Sequence, residues 1–235
     1  MSETKKVAIV TGGGTGLGQA CVKQLLGDGF KVWSLGLDVE EKIDHPDLVE
    51  RRFDITDSAA IADLAHEIDG VDALVNAAGT ILYDRREFTN EGFDKVMAVN
   101  FRGTQQLCFA LETQLKERSG AIVNFASMWS IFGSVGNPAY SASKGAIESF
   151  TRALAASWGP SRVRTNAVAP GWVKTRMAVN AMSNPERAEP IMKRIPMARW
   201  GEPKEVGQVV GFLVSPAASY INGVTLPIDG GYAIA

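Results

Sequence analysis

Apolar and polar positions along the chain follow two periods in alternation. Residues 6–10 form a short β-branched run that stops at a cluster of glycines, and 17–26 then carries apolar residues at helical spacing up to Gly27 and Gly29. The same order recurs, with strands at 31–35 and 51–53, a helix at 58–68 and a strand at 73–76. Further on, the pattern predicts a helix over 103–118, a strand over 121–125, a long helix over 139–157, a strand over 164–168, a helix over 206–214 and a last strand over 224–228. Strands that alternate with helices imply an α/β fold, a Rossmann-type doubly wound parallel sheet of about seven strands with helices on both faces.

Between 171 and 203 the apolar period breaks down, interrupted by Pro185, Pro190 and Pro196, so this stretch reads as an excursion over the sheet. Long loops inside compact domains usually serve function. No repeat, low-complexity tract or linker divides the 235 residues, which fit one domain over 1–235.

Composition changes the choice of partners more than the fold. With 46% hydrophobic and 21% charged residues and a net charge of −2, the chain offers no electrostatic footprint for nucleic acid or an anionic membrane, and small molecules are the expected partners. The opening Met1-Ser2-Glu3-Thr4-Lys5-Lys6 runs into a strand with no apolar signal core, and no stretch is long enough to span a bilayer, which fits a cytoplasmic enzyme. Cys21 and Cys108 fall on apolar helix faces, where a thiol packs as a small hydrophobe. His45 and His66 show no ligand clustering, so no metal is expected. The mixed charges of Asp84, Arg85, Arg86 and Glu87 read as a surface loop.

Two constellations carry chemistry. Thr11-Gly12-Gly13-Gly14-Thr15-Gly16-Leu17-Gly18 lies between the first strand and the first helix, where Gly12 can turn tightly, Gly16 can let backbone approach a pyrophosphate and Gly18 can let helix pack close to strand. N–H groups at the helix start would face the anion. Tyr140 and Lys144 stand four residues apart at the start of the long helix and share a face. A free phenol holds its proton to about pH 10, but a neighbouring ammonium favours the phenolate and draws it toward the working range of a general acid or base. Ser127, at the end of the preceding strand, can donate a hydrogen bond to the reacting oxygen.

Taken together, the glycine pattern at 11–18, Asn76-Ala77-Ala78-Gly79, Asn100, Ser127, Tyr140-Ser141-Ala142-Ser143-Lys144 and Pro170-Gly171 resemble the single-domain branch of the short-chain dehydrogenase/reductase (SDR) family along almost the whole chain. The resemblance implies an NAD(P)-dependent oxidoreductase that moves a hydride between a nicotinamide cofactor and a secondary alcohol or ketone, including cyclic and aromatic ones. It implies Tyr140 as proton donor or acceptor, Ser127 as the substrate-orienting serine and Lys144 as the lysine on the nicotinamide ribose. Asn100 matches the asparagine that bends a helix and anchors a water in the proton relay. Carried over likewise, Gly12, Thr15, Gly16, Leu17 and Gly18 hold the pyrophosphate side. Asn76, Ala77, Ala78 and Gly79 flank the adenosine ribose, Asp54 and Ile55 the adenine, and Pro170, Gly171, Val173 and Thr175 the carboxamide.

For the cofactor's 2'-group, the position that is acidic in NAD-preferring members is Gly36, with Asp38 two residues later. Thr15 and Leu37 stand where NADP-preferring members tend to carry cations, and Asp38 would repel a phosphate, so NAD(H) is expected over NADP(H). Lys42 and Arg51 are the nearby cations that can alter this. Trp129 with Ile131, and Trp172 with Val173, border the substrate cleft in the family, and 172–202 corresponds to a mobile lid rich in methionine (Met177, Met182, Met192, Met197) with Trp200. Ser127, Trp129, Tyr140, Trp172 and Met177 are thus the expected substrate contacts. Relatives are commonly tetramers, and apolar residues along 103–115 and 150–158 permit a homotetramer. The alternative is a catalytically silent dinucleotide-binding scaffold or redox sensor, against which stand the intact Asn100, Ser127, Tyr140 and Lys144.

Overall fold

Residues 5–235 are described by a computed structural model; the opening Met1 to Thr4, read above for a signal sequence, lies outside the described residues. In chain order the elements are β1 (Val7–Thr11), α1 (Gly16–Gly27), β2 (Lys31–Gly36), β3 (Leu48–Arg52), α2 (Ser58–Glu67), β4 (Ala73–Asn76), α3 (Asn90–Met97), α4 (Thr104–Ala110), α5 (Glu112–Arg118) and β5 (Ala121–Phe125). There follow α6 (Trp129–Phe132), α7 (Pro138–Trp158), β6 (Arg164–Pro170), α8 (Val179–Met182), α9 (Pro185–Arg194), α10 (Pro203–Val214) and β7 (Thr225–Ile228). The strands form one seven-stranded parallel sheet in the order β3-β2-β1-β4-β5-β6-β7, the Rossmann-type arrangement expected from the alternation.

Alternate residues of each strand point to opposite faces, and both faces are covered. Ile9, Leu74 and Ile122 join Leu64, Leu107, Leu111 and Leu115 on one side. Their neighbours Val10, Val75 and Val123 join Cys21, Leu25, Val206 and Val210 on the other. On that second face α1 and α10 lie so close that a Cβ on Gly207 would come within 2.7 Å of the Ala20 carbonyl oxygen. Cys21 and Cys108 are buried and free, and burial pushes both thiols up to about 12, so they pack as small hydrophobes. The order reverses between β1 and β4, which opens a crevice beyond the carboxyl ends of the strands.

Several elements depart from the sequence reading, among them the short α6, which the apolar pattern did not signal. The strand expected at 51–53 is Leu48–Arg52 instead; it is the sheet's edge, half buried, so its apolar signal is weak, and Phe53 falls beyond it. The helix expected over 103–118 is preceded by a π-helical turn, Ala98–Gly103, and breaks at Leu111, whose φ of −100° and ψ of 11° leave the helical region. Helix α3 escaped notice because only Gly92 and Val96 are buried; what starts it is Thr89, whose side chain accepts from the Gly92 N–H at 3.1 Å. Finally, 171–203 contains α8 and α9, the latter starting at Pro185 with Asn184 as its cap and continuing through Pro190.

Candidate active site

The crevice holds a cavity of about 270 Å³, walled by the glycine turn after β1, the ends of β4, β5 and β6, the first turns of α7 and the α8–α9 excursion. Pro138 opens α7 with its fixed φ, which puts Tyr140 at the third helical position and Lys144 one turn later, both on the cavity wall. Lys144 is 4% exposed; its Nζ donates to the Phe125 carbonyl at 2.6 Å and lies 5.5 Å from the centroid of the Tyr140 ring. Ser127, also on the wall, accepts from the Trp129 N–H at 3.2 Å and lies close enough to the Tyr140 phenol to pull its pKa down.

Electrostatics here corrects one expectation. Burial pushes the Tyr140 phenol up to about 12, against the lowering pull of Ser127, with the nearby Tyr83 and Glu87 adding to the rise. Burial also brings the Lys144 ammonium down to about 8. Desolvation outweighs the ammonium's attraction for a phenolate, so at neutral pH both groups hold their protons. The resting pair is a phenol beside a cation, poised to give a proton rather than to take one.

Asn100 sits in the π-helical turn, a break in helical bonding found often at functional sites. Its amide oxygen accepts from the Thr80 N–H at 2.7 Å, while its Nδ2 donates to the Thr80 carbonyl at 3.0 Å and to Ser143 Oγ at 3.1 Å. It therefore ties the segment after β4 to α7.

Glu87 was legible only as part of a charged surface loop, and here the structure differs most. Arg86–Phe88 is a short 3₁₀ turn that tucks the Glu87 carboxylate inside, 1% exposed. Its Oε1 accepts from the Leu82 N–H at 2.9 Å and from Asn137 Nδ2 at 3.1 Å, and its Oε2 accepts from the Tyr140 N–H at 2.9 Å. Asn137 makes no side-chain cap, so a carboxylate from a distant turn satisfies the start of α7, where the helix dipole favours an anion. A charge run in sequence gives no hint of this, because two of the three donors are main-chain groups.

In the glycine turn, Gly12 and Gly16 adopt φ of +66° and +49°, and a Cβ on Gly18 would fall 2.1 Å from the Gly12 carbonyl. Thr15 makes no side-chain cap, and among the described residues the Leu17 and Gly18 N–H groups find no partner. Unspent donors on a side-chain-free turn at the head of α1 fit the pyrophosphate of a dinucleotide. The Gly16 N–H instead donates to Glu40 Oε2 at 3.0 Å, and a Cβ on Gly14 would strike the Asp38 carbonyl at 2.0 Å. The acidic stretch after β2 is thus folded onto the turn, with Asp38 paired to Arg176 across it at 3.1 Å. Arg51 is engaged elsewhere, with Glu67 and over the Trp33 ring.

Ala77, Gly79, Pro170, Gly171, Val173 and Thr175 line the cavity as anticipated; Asp38, Asp54, Ile55, Asn76 and Ala78 do not. Asp54 accepts from Thr56, Ile55 is buried, and Asn76 turns inward to donate to Asn124 Oδ1 at 2.9 Å. Ala78 donates its N–H to Thr11 Oγ1 at 3.1 Å, which fixes the loop after β4 against β1.

At the other end Trp129 meets the Tyr140 ring edge-on at 5.7 Å and the Trp172 ring at 6.0 Å, and Trp172 meets Trp200 at 6.3 Å. Met177 lines this end, its carbonyl accepting from the Tyr83 hydroxyl at 2.9 Å. Ile131, Met182, Met192 and Met197 do not, although their apolar character placed them with the others. Tyr83 and Arg187, which also line it, had no signal in the sequence beyond their place in segments without a clear apolar period.

The family model described as Enoyl-(Acyl carrier protein) reductase matches residues 12–233. The chain is 35% identical over 240 residues to the 2-dehydro-3-deoxy-D-gluconate 5-dehydrogenase of Dickeya dadantii (strain 3937), covering 97% of this chain and 95% of that one. It is 34% identical over 246 residues to the cyclopentanol dehydrogenase of Comamonas testosteroni, covering 97% and 96%. A solved protein of Agrobacterium tumefaciens with bound NADP superposes with a TM-score of 0.89 at 31% identity, covering 100% of this chain and 98% of that one. With the site geometry and these likenesses running nearly end to end, the chain belongs to the short-chain dehydrogenase/reductase family and is a nicotinamide-dependent oxidoreductase of secondary alcohols and ketones.

Proposed function

We propose that Tyr140 is the group that exchanges the proton of the reacting oxygen. The observation that carries this is the half-buried phenol beside Ser127, on a cavity wall that also bears Lys144. When bound, the nicotinamide cofactor supplies or accepts the hydride. In the direction of reduction, Ser127 donates to the carbonyl oxygen and Tyr140 gives it the proton as the carbon gains hydride; oxidation is the reverse, with the phenolate taking the hydroxyl proton. Lys144 keeps a positive charge behind the phenol, and Asn100 holds Thr80 and Ser143 in register with it. In this reading 1–235 is one dinucleotide-binding domain, 172–202 its lid, and Trp129, Trp172 and Met177 the apolar wall that accepts a cyclic or extended substrate. The enzyme works in the cytoplasm as a homotetramer, for which the half-exposed Phe109 beside Phe150 and Trp158 supplies an apolar face.

The titration sets a direction-dependent pH profile. A phenol raised to about 12 is protonated through neutrality, so reduction needs no prior deprotonation, whereas oxidation needs the phenolate. Initial rates on a panel of ketones and secondary alcohols, followed by nicotinamide absorbance, are expected to rise with pH above neutrality for oxidation. For reduction they are expected to fall as Lys144 loses its charge near 8. An oxidation rate independent of pH over the alkaline range removes Tyr140 from this role; no turnover of any member removes the reading itself.

The same reading takes NAD(H) over NADP(H). Glu40 places its carboxylate on the glycine turn and Asp38 beside it holds Arg176, so a 2'-phosphate there would face one acid and compete with another for its cation. Ligand that binds only the folded chain raises its melting temperature, so at equal concentration NAD is expected to raise it more than NADP; the reverse order excludes the preference.

A further inference from the structure

Among the described residues the cavity is lined by three cationic side chains, Lys144, Arg176 and Arg187, and by no carboxylate, in a chain whose net charge is −2. Two of these cations are accounted for. Lys144 is buried on the Phe125 carbonyl and Arg176 is paired with Asp38 at the glycine turn. Arg187 comes from α9, lines the end that holds Tyr83, Met177 and Asn180, and among the described residues its guanidinium has neither an ion-pair nor a hydrogen-bond partner. Glu189, two residues on along the same helix, is taken by Lys193 at 2.6 Å, and the Tyr83 hydroxyl is committed to the Met177 carbonyl. Arg187 is open to solvent at the cavity mouth, and its guanidinium presents there a planar fork that matches a carboxylate.

We propose that the physiological substrate carries a carboxylate in addition to its reacting carbonyl or alcohol, and that Arg187 binds that carboxylate. This rests on the oxidoreductase reading above and adds the substrate class, a keto or hydroxy acid. Asn180, whose amide can both donate and accept, lines the same end and serves the substrate's remaining polar groups. Because Arg187 lies on the excursion and Tyr140 on α7, an acid that reaches both draws α9 onto the reacting centre, so the anion selects the substrate and closes the site in one event.

The test compares short aliphatic and cyclic keto acids, levulinate among them, each with its methyl ester, which removes the charge and keeps the ketone. Wild type is expected to favour the acids, and Arg187→Met to lose roughly ten- to a hundredfold in kcat/KM on the acids while holding its rate on the esters. Arg187→Lys is expected to recover part of the loss, since it restores charge without the fork. The inference is overturned if wild type reduces acid and ester alike, or if Arg187→Met loses equally on both. It is also overturned if the variant weakens NAD or NADP binding, read by tryptophan fluorescence, which assigns Arg187 to the cofactor's phosphates. In each of these cases turnover of the esters by wild type leaves the oxidoreductase reading standing, whereas no turnover of acid, ester or neutral alcohol removes both.

Discussion

Replacing Tyr140 by phenylalanine is expected to lower kcat by about a thousandfold or more while the melting temperature and cofactor affinity stay near those of wild type. Phenylalanine keeps the ring, its edge contact with Trp129 at 5.7 Å and the main-chain bond to Glu87, so what is lost is the hydroxyl alone. Ser127 and Lys144 remain, and a residual rate persists because orientation and hydrogen bonding to the reacting oxygen survive. Single-turnover rates beside a thermal melt check both halves of the expectation. A variant that turns over as fast as wild type excludes the phenol from proton transfer, and one that melts far lower shows that the loss of rate is structural.

Glu87→Ala is expected to be the costliest single change away from the reacting atoms. It strands the Leu82 N–H and the Tyr140 N–H in the interior, leaves Asn137 Nδ2 with the Leu82 carbonyl alone, and opens a void. A buried donor without an acceptor costs about 1–3 kcal/mol, so a total on the order of 3–5 kcal/mol is expected. For a chain of this size that lowers the melting temperature by roughly 10 °C. Glu87→Gln preserves the volume but turns an NH₂ group toward at least one N–H donor, so it is expected to fall between wild type and the alanine variant. In that variant the effect on kcat is expected to exceed the effect on cofactor affinity, because the carboxylate anchors the first turn of α7 rather than the glycine turn. Differential scanning calorimetry and steady-state kinetics on both variants test this; an alanine variant as stable as wild type refutes the account of the carboxylate.

How much was legible follows from what each residue type can signal. Strands β4 and β5 coincide with the expected 73–76 and 121–125 because both are buried along their whole length and print as continuous apolar runs. Edge strand β3, with one residue in two facing water, prints weakly and came out displaced. The glycine turn was legible because glycine adopts a positive φ without steric cost and because only glycine leaves room for a carbonyl 2.1 Å from where a Cβ on Gly18 would stand. Tyr140 and Lys144 declared themselves by spacing, Ser127 by its place at a strand end and Asn100 through the family resemblance, but the proton affinities of Tyr140 and Lys144 did not, since desolvation is a property of the folded surroundings. Glu87, Glu40 and Arg187 looked like ordinary surface charges. What distinguishes them is the partner each has or lacks, and those partners are remote in sequence or lie in the main chain.

The contact of α1 with α10 has a bearing on how the molecule is made. The first helix carries the head of the glycine turn, yet the apolar flank formed by Cys21, Val22 and Leu25 is sheltered by Val206 and Val210, close to the other end of the chain. During synthesis that flank stays uncovered until residues 206–210 have been made, and the pairing of two such distant segments belongs to the slow, non-local part of folding. The nucleotide pocket is therefore among the last parts to become rigid. A chain cut short before residue 203 would retain most of its strands and still be unable to steady the turn with which it begins.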